Sequence, residues 1–199
     1  HDGTTNFEIG ADIRANTALT KSGTGTVLLS GNNTSISTVT VHNGVLEIAG
    51  GNALGDNSLV TLANQRNSTL RLLANETIGR LDGGQRQTEG DWGLVEIGSH
   101  TLTLNFTGGN TSFSGRFLGT GNLVLSPSST SNFNLAGIST GFTGNVEIKG
   151  GLFQLSGSGQ IDASSFSVSK GGALLIDNNG NTRSGTRILN TATIVLDSA

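Results

Sequence analysis

Ser139 stands in Gly137-Ile138-Ser139-Thr140-Gly141, the G-x-S-x-G spacing of a nucleophile elbow. An elbow needs a strand before the serine, a helix after it, and histidine and acid partners. Nothing beyond Gly141 has a helical period, so the match reads as a product of a chain with 31 glycines. Three glutamates offer a different chemistry. Glu47, Glu96 and Glu147 recur in Val45-Leu46-Glu47-Ile48, Val95-Glu96-Ile97 and Val146-Glu147-Ile148. Stacked carboxylates on one face could cleave a polysaccharide. Their spacing places successive ones about two turns, roughly 10 Å, apart, too far for a retaining pair at about 5 Å. They read instead as solvated outward groups that discourage lateral aggregation. His1, His42 and His100 have no metal-ligand spacing, and there are no cysteines, so no metal or other cofactor is expected. Gly23-Thr24-Gly25 lacks the third glycine of a dinucleotide loop, because Leu28 stands there, and reads as a corner turn. Asn32, Asn33, Asn67, Asn75, Asn105 and Asn110 each open an N-x-S/T sequon, which this composition produces by chance.

These residues need elements to hold them. Only 13% of the 199 residues are charged and the net charge is −3, which argues against a nucleic-acid or anionic-membrane surface. Thirty-one glycines without a three-residue period exclude collagen, and 34% hydrophobic residues in regular short runs exclude disorder. No apolar run is long enough for a membrane helix, and no stretch has the form of a signal peptide. The lack of methionine suggests a mature or excised piece of a longer chain. The absence of cysteine suits a chain that crosses an oxidising space unfolded.

Apolar runs at 7–9, 26–29, 38–41, 45–48, 59–62, 70–73, 94–97, 102–106, 113–118, 123–125, 133–135, 146–148, 152–155, 166–168, 174–176 and 194–196 are separated by Gly- and Asn-rich turns. Evenly spaced short strands mean an all-β fold. Residues 44–62 align with 151–169 and 23–30 with 119–126, so the chain reads as two copies of one unit, about 19–97 and 119–197. Self-similar short strands with glycine corners and few aromatics favour a single right-handed parallel β-helix, a β-solenoid of about three strands per turn, over a propeller. Asn32, Asn33, Asn43, Asn178 and Asn179 suit polar ladders at its corners. At on the order of 22 residues per turn, roughly nine turns would make a rod about 40 Å long with open ends. The predicted core holds Val27, Leu29, Val45, Ile48, Val95, Ile97, Leu123, Leu125, Val146, Ile148, Leu174 and Ile176, with Glu47 outward between inward Val45 and Ile48.

The phrase from Lys21 through Ser22-Gly23-Thr24-Gly25-Thr26-Val27-Leu28-Leu29-Ser30-Gly31-Asn32-Asn33 to Thr34 resembles the passenger-associated repeat of bacterial autotransporters. The likeness continues through Val39 to Ile48 and Ala53-Leu54-Gly55. Thr77-Ile78-Gly79, Leu81, Gly83-Gly84 and Gly93 to Leu104 are similar to the segment that follows in that family. The resemblance implies a secreted or surface-displayed β-helix preceding a membrane barrel that lies outside these residues. Membrane contact would then come only through that barrel. Attachment or aggregation, as a rigid stalk or adhesin rather than an enzyme, is the implied role. The partner would be a host-cell or matrix component, or a like passenger, and not nucleic acid. Two other classes fit a β-helix: a polysaccharide-cleaving enzyme and a receptor-binding segment of a secreted toxin.

One stretch departs from the family pattern. Gln85-Arg86-Gln87-Thr88-Glu89-Gly90-Asp91-Trp92 intervenes where the pattern runs almost directly into the next strand, and copy two lacks it. Residues 66–92 hold eight of the chain's 25 charges and its one tryptophan. Loops on rigid scaffolds carry recognition, and Trp with Arg is enriched at hot spots. Arg80, Asp82, Gln85, Arg86, Glu89, Asp91 and Trp92 are therefore the expected binding residues.

Overall fold

A computed structural model describes residues 6–14, 16–63, 67–84, 93–127, 130–169, 171–179 and 186–197. Among the described residues there is no helix, and the strands form parallel ladders of a β-solenoid. A seven-stranded sheet stacks Phe7–Ile9, Thr26–Leu29, Gly44–Ile48, Ser68–Leu72, Leu94–Gly98, Arg116–Gly119 and Gly141–Phe142. An eight-stranded sheet stacks Thr17–Lys21, Ile36–Val41, Leu59–Leu62, Arg80–Gly83, Asn110–Phe113, Asn132–Leu135, Gly151–Leu155 and Gly172–Ile176. A six-stranded sheet holds Glu76–Ile78, Thr101–Leu104, Asn122–Leu125, Asn145–Ile148, Ser165–Val168 and Thr193–Leu196. Ile138–Ser139 and Gln160–Ile161 add a small fourth sheet.

Alternation explains which residues enter the core. In Leu94–Gly98, Val95 and Ile97 are buried while Leu94 and Glu96 face outward. In-register stacking then builds columns: Leu102, Leu123, Val146 and Phe166 lie one above another inside the six-stranded sheet. Val27, Leu29, Ile48, Val95, Ile97, Leu123, Leu125, Val146 and Ile148 are buried as expected. Three others are not. Gly44–Ile48 alternates with Leu46 and Ile48 inward, so Val45 shares the half-buried outer side with Glu47. Leu174 is half-buried and Ile176 exposed: among the described residues Gly172–Ile176 pairs only with Gly151–Leu155.

The turn count also differs. The ladders make about seven turns rather than nine, a rod on the order of 30 Å long. Turns vary in length: Ile13 and Asn33 on adjacent turns are 20 residues apart, Arg71 and Glu96 are 25, and Leu81 and Thr111 are 30. The last interval contains residues 85–92. Three strands per turn holds from Ser68 onward. In the earlier turns the third side is not a strand but the stretches 30–35 and 49–58. The run expected at 113–118 is two strands, with a turn through Ser114 and Gly115.

The aliphatic stack changes composition along the rod. Phe113, Phe117, Phe133, Phe142, Phe153 and Phe166 are fully buried. Phe117 lies 5.2 Å from Phe113 and 6.4 Å from both Phe133 and Phe142 between ring centroids, and Phe133 stacks on Phe153 at 5.9 Å.

Candidate functional site

Gly84 and Gly93, the residues on either side of the departure from the repeat, lie against one another. A Cβ on Gly93 would sit 2.7 Å from Gly84 Cα, and one on Gly84 would sit 2.3 Å from Gly115 N on the next turn. Both glycines have φ near +70°. Close approach and left-handed backbone together require glycine here. Gln85, Arg86, Glu89, Asp91 and Trp92 lie outside the described residues. Arg80 and Asp82, the remaining expected binding residues, sit on the strand below the Gly84–Gly93 pair, and both reach the following turn. Arg80 Nη2 donates to Gly108 O at 3.1 Å. Asp82 Oδ1 accepts from Ser112 N at 3.1 Å and from Thr111 Oγ1. Arg80 Nη2 and Asp82 Oδ1 thus join one turn to the next.

A shallow cleft of about 250 Å³ lies along the same corner of the rod, lined by Thr24, Asn43, Gly44, Val45, Asn67, Thr69 and Leu94. No lining residue is charged. Asn67, with φ 69°, is the non-glycine residue in the left-handed region among those described. Asparagine tolerates that conformation better than most residues.

The residues that could do chemistry are held in ways that explain their types. Ser139 is fully buried, and its Oγ accepts a hydrogen bond from Phe117 N at 3.0 Å. Gly141–Phe142 follows it as a strand, not a helix. Glu47 and Glu96 do share one outer column and are two turns apart, with Arg71 in register between them. Arg71 Nη1 meets Glu47 Oε1 at 2.8 Å, and its Nε donates to Glu96 Oε2. Hydrogen bonds to Glu96 and then Glu47 push the guanidinium pKa further up. Glu147 does not join them. It lies on the six-stranded sheet and pairs with Lys149 at 3.1 Å. His42 is exposed at a turn, and no group of three or more metal-ligating side chains occurs among the described residues. Asn33, one of the sequon asparagines, is wholly buried.

Sequence reasoning missed the buried polar groups. Lys21 is 2% exposed, and its Nζ donates to the carbonyls of Ser22, Gly23 and Asn43 at 3.0, 2.8 and 2.9 Å. Burial pushes its pKa down. Lys21 starts the inward column that continues with Val41 and Leu62. Glu76 starts another, below Leu102 and Leu123. Asn33 Oδ1 accepts from Ile13 N at 2.7 Å, and its Nδ2 donates to Ala53 O at 3.1 Å and Gly31 O at 3.2 Å. Ala53 N donates in turn to Glu76 Oε2 at 3.1 Å. A signal existed in the strand parity. Lys21 has the parity of Leu19, and Glu76 that of Ile78, so alternation alone points both inward. Farther along, the polar ladder runs outside the sheet, where Asn145 Nδ2 donates to Asn122 Oδ1 at 3.0 Å and Ser165 Oγ to Asn145 Oδ1 at 2.7 Å.

Over 155 residues, 77% of its length, the chain is 30% identical to the adhesin BmaC autotransporter of Brucella suis biovar 1. This likeness and the parallel solenoid together fit an autotransporter passenger domain. The chain spans about 4% of the length of that curated relative. No protein-family model matches it, and no solved structure matches it significantly. The passenger reading accounts for two features found above. Its ladders present long, repetitive outer faces, and its buried polar groups join one turn to the next.

Proposed function

We propose that this passenger segment is a rigid, non-catalytic element of a surface-displayed or secreted adhesin, acting in attachment or aggregation. The observation that carries the reading is the likeness to an autotransporter adhesin over 77% of the chain, on a rod of parallel ladders. Each turn stacks on its neighbours, which suits a spacer that holds contact surfaces away from a cell. The side chains with catalytic spacing support the same reading: Ser139 is buried as an acceptor, and Arg71 bridges Glu47 and Glu96. The partner would be a host-cell or matrix component or a like passenger, met by a lateral face or by the corner bearing Arg80 and Asp82.

The test is binding of the purified chain to cultured cells, immobilised matrix proteins and itself, alongside a form with residues 85–91 replaced by a Gly-Asn turn. Saturable binding, with no release of reducing or unsaturated ends from polysaccharides, supports the reading. Turnover of a polysaccharide, lost in Ser139→Ala or Glu147→Ala, would overturn it. Loss of binding in the shortened form would assign the contact to that loop, and unchanged binding would assign it to the faces of the rod.

A further inference from the structure

Glu76 is a carboxylate in a place that the following turns fill with hydrocarbon. Its inward column continues as Leu102, Leu123, Val146 and Phe166. It is 3% exposed. Among the described residues the six-stranded sheet has no further strand below it, and the stretch 49–58 closes the third side of the rod instead. Oε2 accepts from Ala53 N at 3.1 Å, while Oε1 is buried without a hydrogen-bond partner. Glu76 therefore does the work of a missing ladder through Oε2, with Oε1 an orphan oxygen. Ala53 is held on its other side through Asn33, which bonds its carbonyl and reaches back to Ile13 N. One line of polar contacts thus joins successive turns through Ala53.

We propose that Glu76 makes this seam a proton-operated latch: its protonated carboxyl holds residues 49–58 closed against the Glu76–Ile78 strand, and ionisation loosens them. The physical ground is the cost of placing an unpaired charge in an apolar column. No cation faces it. The strand that pairs with it, Thr101–Leu104, has no ionisable residue, and residues 49–58 supply only Asp56. Burial, helped by Asp56, raises the Glu76 pKa from 4.5 to about 7, against the opposing pull of the Ala53, Leu54 and Thr77 amides.

The closed seam binds the proton more tightly than the open seam, where the carboxyl is hydrated and near its ordinary pKa. Between pH 4.5 and 7 the closed form holds more protons than the open one, so opening becomes easier as pH rises and levels off above 7. This is the reverse of ordinary acid denaturation, in which paired carboxylates lose their partners.

The experiment is amide hydrogen exchange at Ala53 and Leu54 from pH 4.5 to 8, with intrinsic exchange rates divided out, beside the NMR titration of the Glu76 carboxyl carbon. Protection should fall by about 80-fold between pH 4.5 and 7, and by about 140-fold by pH 8, in the wild type and stay flat in Glu76→Gln. An equal fall in Glu76→Gln, or a flat wild type, would overturn the latch. If Glu76→Gln does not fold, the carbon titration decides: a midpoint near 7 upholds the proposal, and one in the ordinary glutamate range ends it.

Discussion

From Val27 to Leu104 the described core is Leu, Ile, Val and Ala, with no buried aromatic ring; from Phe106 to Phe166 seven phenylalanines line it. The third side of the rod changes too, but earlier, becoming a strand from Glu76–Ile78 onward. In the first turns that side is made of the stretches 30–35 and 49–58, tied across by Asn33 and Glu76. Later it is a true ladder, and the amide-hydroxyl chain of Asn122, Asn145 and Ser165 lies on its outside. A side closed by loops brings backbone into the interior, so backbone groups there need buried polar partners. A side closed by strands satisfies its own backbone and leaves a lumen for large rings. One solenoid thus contains two interiors, joined by turns from Ser68 to Leu104 that have three strands and still an aliphatic core.

Phe117 should separate these interiors most sharply. It touches three other rings, so Phe117→Ala should cost about 4 kcal/mol in urea unfolding, toward the upper part of the range for buried aromatics. Leu46→Ala in the aliphatic half should cost about 3 kcal/mol. Equal losses, with Phe117→Leu nearly neutral, would show that ring-ring geometry contributes nothing beyond volume. Next in size is Asn33→Ala, which strands Ile13 N and Ala53 O and should lose about 2–3 kcal/mol. The outer counterpart, Asn145→Ala, should lose under about 1 kcal/mol, because water replaces its partners there. Comparable losses at the two positions would remove the distinction between inner and outer polar ladders.

Lys21→Met should cost about 2 kcal/mol at neutral pH, by leaving three carbonyls without their donor. The lowered lysine pKa adds a sign. The folded state sheds this proton before the unfolded state does, so this site's contribution rises with pH below 10.5. Stability against pH in the alkaline range, compared between wild type and Lys21→Met, measures it. Arg71→Ala should change stability by less than about 1 kcal/mol, and by less still at high salt, because its two ion pairs are half-exposed. Smallest of all, replacing 85–91 by Gly-Asn should leave the melting temperature within a degree or two. The ends already meet at Gly84 and Gly93, and loop length weighs only logarithmically on stability.

The fold was legible because its signal is local and repeated. Short apolar runs with glycine corners state strand, turn and stacking at once, and parity placed Val95, Ile97, Val146 and Ile148 inward correctly. Parity also shows where the reading failed. Gly44–Ile48 was phased on Val45 when Leu46 has the parity of Ile48. The internal likeness is one of grammar, since Thr26–Leu29 and the aligned Asn122–Leu125 occupy different sheets. Glu47 and Glu96 could be placed two turns apart by counting. Arg71 between them was missed because it belongs to the strand at Ser68–Leu72, whose register depends on the loop before it. Lys21 and Glu76 were hidden by their types. A charged residue reads as surface unless its parity is trusted over its chemistry, and their partners are backbone groups that a sequence does not display.

In each ladder the backbone hydrogen bonds point along the rod, while the chain runs across it. Tension applied at the two ends of the polypeptide therefore loads the bonds of one turn at a time instead of shearing many together. Each turn that yields gives up a rise of about 4.8 Å and releases about 22 residues, some 70 Å of extended chain. A pulled rod of this kind lengthens in discrete steps at nearly constant force. The ring-filled turns should surrender after the loop-closed ones, and such a tether dissipates a sudden load before its attachments feel it.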